Sequence, residues 1–130
     1  MIGLDTKVIL RLLTRDDARQ FNLAKEYLAT HARDGPAFVN RLVLAETVWT
    51  LESGYGYTSE QIGNAVEALL KTAALTIEDS DAVRQSLQSY RSGADFSDAL
   101  IGETNADAGC DATMTFDEHA VKKLGFQRLT

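Results

Sequence analysis

The chain has 130 residues, 45% of them apolar and 25% charged, and a formal net charge of −6. That length suits one domain with a single core, and so ordinary a mix excludes a disordered tail, a collagen-like repeat or a disulfide-stapled secreted scaffold. No apolar run approaches a membrane span, and the acidic balance argues against holding nucleic acid through a broad basic face.

The opening Met1-Ile2-Gly3-Leu4-Asp5 has no basic stretch leading into a long apolar one, so no leader peptide is expected. Cys110 stands alone and fits a reducing cytoplasm. Ile2-Gly3-Leu4 reads as a short buried strand, and residues 7–13 as a helix with Val8, Ile9, Leu12 and Leu13 turned inward. Residues 17–31 predict a second helix with acid at its start, where the helix dipole favours it. Pro36 then punctuates the chain before a strand at Ala37-Phe38-Val39, and Asn40 is placed to cap a helix over residues 41–53. Gly54-Tyr55-Gly56-Tyr57 breaks that helix, and Thr58-Ser59-Glu60-Gln61 has the capping-box pattern that opens the next, to about residue 71. A strand at Leu75-Thr76-Ile77 follows, then helices over 80–90 and 97–108, a strand over 112–115, a short helix over 118–124 and a last strand at Phe126-Gln127-Arg128. Strands alternating with helices predict an α/β fold with a mostly parallel central sheet and helices on both faces. With no internal repeat or linker, residues 1–130 are expected to form one domain.

In such folds ligands bind beyond the carboxyl ends of the strands, which directs attention to acids just after a strand or early in the next helix. Asp5 closes the first strand, Asp98 stands at the start of a helix and Asp117 lies just beyond the fourth strand. Glu46 sits two turns into the helix after the second strand, roughly 9 Å along from Asn40. Each Asp alone also reads as a helix cap or turn residue, and for Asp95 that structural role is preferred. Glu46 is different, because Leu42, Val43, Leu44, Ala45, Val48 and Trp49 surround it and predict a largely buried helix. A carboxylate there needs a cation or hydrogen-bond donors. Two carboxylates about 4 Å apart repel by roughly 4 kcal/mol at an effective dielectric near 20. A gathering of several therefore points to Mg²⁺ or Mn²⁺, hard cations able to serve phosphodiester hydrolysis.

The same residues carry a family resemblance. Leu4-Asp5-Thr6, Leu44-Ala45-Glu46-Thr47, Asp95-Phe96-Ser97-Asp98-Ala99-Leu100-Ile101 and Thr113-Met114-Thr115-Phe116-Asp117 resemble, in order and spacing, the successive motifs of PIN-domain ribonucleases, most of all toxins of the VapC type. The resemblance implies a PIN-like three-layer α/β/α fold and a Mg²⁺- or Mn²⁺-dependent endoribonuclease with Asp5, Glu46, Asp98 and Asp117 as its acidic metal-site residues. It further implies Thr115 and Asp95 in supporting positions, RNA as substrate, a VapB-like antitoxin and a second copy of the chain as partners, and a cytoplasmic home. Two positions depart from the pattern: Lys7 stands where a small polar residue is expected, and Glu118 where a basic one is common.

Lys7, Arg11 and Arg15 form a modest basic strip that suits RNA or antitoxin carboxylates, with a solvated helix face as the default reading. His31 and His119 lack metal-ligand spacing and read as surface or helix-end residues. Cys110 reads as small packing, Trp49 with Leu42 and Val48 as core, and Tyr55 and Tyr57 as dimer packing or base-stacking residues. Rival functions are a phosphatase or phosphotransfer domain on a doubly wound sheet, a non-catalytic RNA- or protein-binding module, and a structure-specific DNA nuclease. The phosphatase pattern wants a second acid where Lys7 stands. A receiver domain would use Glu78-Asp79 after the third strand but leaves Glu46 unexplained. No insertion is evident that would hold a duplex, which favours single-stranded RNA.

Overall fold

The computed structural model describes residues 1–130. In chain order it contains α1 (Thr6–Thr14), α2 (Ala18–His31), a single 3-10 turn (Ala32–Asp34), β1 (Ala37–Val39), α3 (Arg41–Ser53), α4 (Ser59–Leu70), β2 (Leu75–Ile77), α5 (Ser80–Arg91), α6 (Phe96–Asp107), β3 (Met114–Thr115), α7 (Glu118–Leu124) and β4 (Gln127–Arg128). Helix starts follow from short polar side chains that accept the first free backbone N–H groups. Asp5, Asp17, Asn40, Asp95 and Asp117 each do so, and Thr58 with Gln61 completes the capping box expected at α4.

Every strand pairing is parallel, in keeping with the α/β class. β1 pairs with β2 from Ala37↔Leu75 to Val39↔Ile77, and β3 pairs with β4. The expected first strand shrinks to one bridge, Gly3↔Phe38, held by Leu4 N–H to Phe38 O at 2.9 Å and Phe38 N–H to Ile2 O at 2.7 Å. α1 begins only three residues after Gly3, so no longer ladder fits. In register, the residues two beyond Gly3, Phe38 and Thr76 are Asp5, Asn40 and Glu78, which therefore line one carboxyl edge.

The core joins Leu4, Ile9 and Leu10 to β1 and β2, to the inner faces of α3, α4 and α5, and to Phe96 and Leu100 of α6. Burying each large side chain stabilises the fold by roughly 1.5–3 kcal/mol. α1 lies against both α2 and α3. Its fully buried positions are accordingly Thr6, Ile9 and Leu10, while Val8, Leu12 and Leu13 are only half-buried.

α3 corrects a larger expectation. Its inward stripe is Leu44, Thr47, Val48 and Leu51, at i, i+3, i+4 and i+7. Leu42, Glu46 and Trp49 fall on the opposite stripe, so Leu42 is 81% exposed, Trp49 is 65% exposed and Glu46 is exposed. Trp49 and Leu42 are not core, and Glu46 is not in a buried setting. Cys110 is likewise exposed, since it follows the turn that ends α6 with its N–H bonded to Asn105 O at 3.0 Å. Tyr55 and Tyr57 are half-buried against the core and meet edge to face at 6.0 Å. No helix is long and apolar enough to cross a membrane.

Candidate functional site

Four of the acids singled out in the sequence stand at or next to helix N-termini. Asp5 caps α1, with Oδ1 accepting Val8 N–H at 3.2 Å. Asp95 caps α6 by accepting Asp98 N–H at 2.9 Å, so Asp98 occupies the first turn of that helix. Asp117 caps α7, with Oδ1 accepting His119 N–H at 2.8 Å, and its own N–H donates to Thr115 Oγ1 at 2.9 Å. Glu46 lies on the outer stripe of α3, the helix that packs against both α1 and α6, while α7 packs against α6.

Asp98 is the electrostatic focus. It is half-buried, its carboxylate accepts no hydrogen bond, and its pKa is raised, first by desolvation and then by the negative charges of Asp95 and Asp117, with His119 opposing. At a helix N-terminus, where the dipole ordinarily favours an acid, partial burial and the two neighbouring carboxylates outweigh that help. Asp5 and Asp117 each use one carboxylate oxygen as a cap and keep the other free, and the Glu46 carboxylate accepts no hydrogen bond. These are hard oxygen donors of the kind Mg²⁺ and Mn²⁺ take. No three His, Cys, Asp or Glu side chains stand close enough to share one cation, so a common site requires rotation of exposed carboxylates.

Comparison with known proteins decides the family. The model of the PIN domain matches residues 2–126. The chain belongs to the PIN-domain family. It is also 28% identical over 126 residues to a protein named VapC ribonuclease from Aquifex aeolicus (strain VF5), an alignment covering 95% of this chain and 92% of the relative.

Within this PIN domain the basic strip is largely committed to internal contacts. Arg11 donates from Nε to Gln20 Oε1 at 2.6 Å and from Nη1 to Asp16 and to Tyr55 Oη, both at 3.3 Å. Tyr55 Oη in turn donates to Asp16 at 2.8 Å, and Asp16 is held below the usual carboxylate range by its hydrogen bonds from Thr14 and Tyr55, and then by Arg11. Arg15 ends α1 at φ 55° and covers the Phe21 ring at 4.8 Å, so it does not continue the helical face of Arg11. Lys7 alone of the three is exposed and unpaired.

The two departures resolve differently. Glu118 does not add free negative charge, because Arg128 of β4 grips it through both guanidinium and carboxylate forks, and that hydrogen-bonded pairing lowers its pKa. Glu78 and Asp79, which a receiver domain would use, face Arg41: Glu78 Oε1 accepts Arg41 N–H at 2.9 Å and the guanidinium bridges to both acids. They serve the start of α3. His31 lies at a helix end as expected, stacked on Tyr27 with centroids 3.9 Å apart. His119 is likewise an exposed helix-end residue, near the start of α7. Beyond capping contacts, its Nε2 donates to Gly93 O at 2.7 Å, beside the turn that leads into Asp95 and Asp98. The i, i+4 pair His119 and Lys123 on a short helix was the only signal in the sequence.

Proposed function

We propose that this PIN domain is a metal-dependent endoribonuclease, the toxin half of a toxin–antitoxin pair. Three supports converge: membership of the family, similarity to a protein named a VapC ribonuclease, and the acidic edge. The observation that carries the reading is Asp98, half-buried without hydrogen bonds between the charges of Asp95 and Asp117. A divalent cation relieves such a site, whereas a structural role would have supplied it with donors.

In this reading Asp5, Asp98 and Asp117 offer their free carboxylate oxygens to Mg²⁺ or Mn²⁺, and Glu46 approaches from α3. The ion, when bound, lowers the pKa of water and stabilises charge on the phosphodiester. The chain's own residues do the rest. Thr115 holds the backbone of Asp117, Asp95 fixes the first turn of α6 beneath Asp98, and an unprotonated carboxylate takes a proton from the attacking water. Lys7, exposed two residues past Asp5, meets an RNA phosphate. Partners are a cognate VapB-like antitoxin, whose tail covers the acidic groove, and a second copy of the chain, in the cytoplasm.

Purified protein freed of antitoxin is incubated with total bacterial RNA plus Mg²⁺ or Mn²⁺, or with chelator, beside Asp98→Asn. Discrete cleavage is expected only with metal, falling at least ~100-fold in the variant, since even residues behind metal ligands are worth about 10–100-fold. Intact RNA with metal-loaded wild-type protein, or equal cutting by the variant, contradicts the assignment.

A further inference from the structure

The turn between α5 and α6 is gripped from α7 by two side chains one helical turn apart. His119 Nε2 lies 2.7 Å from Gly93 O and Lys123 Nζ lies 3.3 Å from Ser92 O. A carbonyl only accepts, so Nε2 carries the hydrogen. Gly93 has φ 106°, and a Cβ built on it would stand 3.3 Å from both Cε and Nζ of Lys123. The turn is thus left-handed, glycine-dependent and in contact with α7.

His119 acts at both ends of a short path. Its backbone N–H holds Asp117 Oδ1 at 2.8 Å, while its ring holds Gly93. Two residues past Gly93, Asp95 caps α6 through Asp98 N–H at 2.9 Å. The path Asp117–His119–Gly93–Asp95–Asp98 therefore ties the two proposed metal-holding aspartates through one imidazole. α7 has other anchors: Ala120 is buried, and Phe126 just beyond α7 packs on Gly102 of α6, where a Cβ would meet Phe126 Cε1 at 2.7 Å. Loss of the His119 ring leaves those contacts intact.

We propose that His119, assisted by Lys123, is a positioning residue that sets the spacing of Asp98 and Asp117 for a shared divalent cation. The inference rests on the metal-nuclease reading above. Its test is Mn²⁺ binding, followed by loss of the free-ion electron paramagnetic resonance signal, in wild type, His119→Ala, His119→Gln, Lys123→Ala and Asp98→Asn. His119→Ala is expected to weaken Mn²⁺ binding by about 10-fold, in line with other groups that orient metal ligands. The Mn²⁺ needed for half-maximal cleavage shifts by the same factor, with KM for RNA at saturating metal unchanged. Lys123→Ala shifts both in the same direction by less. His119→Gln keeps an amide donor near the Nε2 position and restores most of the binding, which a merely bulky packing role would not predict. If wild type binds Mn²⁺ and Asp98→Asn does not, yet His119→Ala binds like wild type or His119→Gln fails to rescue, the positioning role is overturned alone. If wild type takes up no Mn²⁺, the metal site itself is wrong and the inference falls with it.

Discussion

Ser86 lies at 0% exposure inside α5, and its hydroxyl finds no hydrogen-bond partner. A buried polar group left unpaired costs about 1–3 kcal/mol, and alanine is also the better helix former. Ser86→Ala is expected to stabilise the fold by about 1 kcal/mol, seen as a higher urea midpoint at constant slope; a lower midpoint would show that the hydroxyl is satisfied in solution. Single residues were legible in the sequence where chemistry is local. Asp5, Asn40, Thr58, Asp95 and Asp117 cap helices because each precedes a helical stretch with a short acceptor side chain, and no distant contact is needed to see it. Glu46 shows the opposite. Its apolar neighbours along the chain suggested burial, but burial on a helix depends on angle about the axis, and Glu46 shares the exposed stripe of Leu42 and Trp49. It remains a candidate through its place on α3, not through a desolvated carboxylate.

Asp79 precedes α5, Asp107 ends α6, and the two carboxyls meet, tying one element's start to the other's end. Asp107 has a raised pKa, owed first to its hydrogen bond with Asp79 and then to that residue's charge, with Arg41 opposing. Glu78 and Arg41 are the other charges there. A raised carboxyl pKa means that the folded state holds a proton the unfolded chain has released, so this contribution to stability is present below the ordinary value near 4 and fades as pH rises through the folded value. Asp107→Asn keeps a donor toward Asp79 at every pH. Relative to wild type its melting temperature is expected to rise between pH 4 and pH 7, modestly because both groups are solvated; a pH-independent difference would remove the shared proton. Element boundaries were largely visible in the sequence for the helices, since caps and 3.6-residue periodicity are local. The strands were less so. Ile2-Gly3-Leu4 has strand composition, yet only Gly3 bridges to Phe38, because the extent of a ladder is set by the partner and by where α1 begins.

At the scale of the molecule, a net charge of −6 must be reconciled with the RNA substrate proposed above. Of the basic side chains around the acidic edge, Arg11 is held by Asp16, Arg41 by Glu78 and Asp79, Arg128 by Glu118, and Lys123 by Ser92 O, while Arg15 lies on Phe21. Lys7 and Lys122 of α7 are the ones left free. Few phosphates are then neutralised by protein cations, and binding must lean on the divalent ion. For single strands the slope of log K against log salt is about −0.7 per neutralised phosphate, so one to three contacts give roughly −0.7 to −2. Anisotropy titrations with a labelled single-stranded RNA that the enzyme does not cut, at fixed Mg²⁺ and rising KCl, are expected to fall in that shallow range. Chelator abolishes binding, and Lys7→Ala flattens the slope by about 0.7. A steep slope that persists in chelator would mean that RNA sits on a basic surface elsewhere, and that the acidic edge does not dock the substrate.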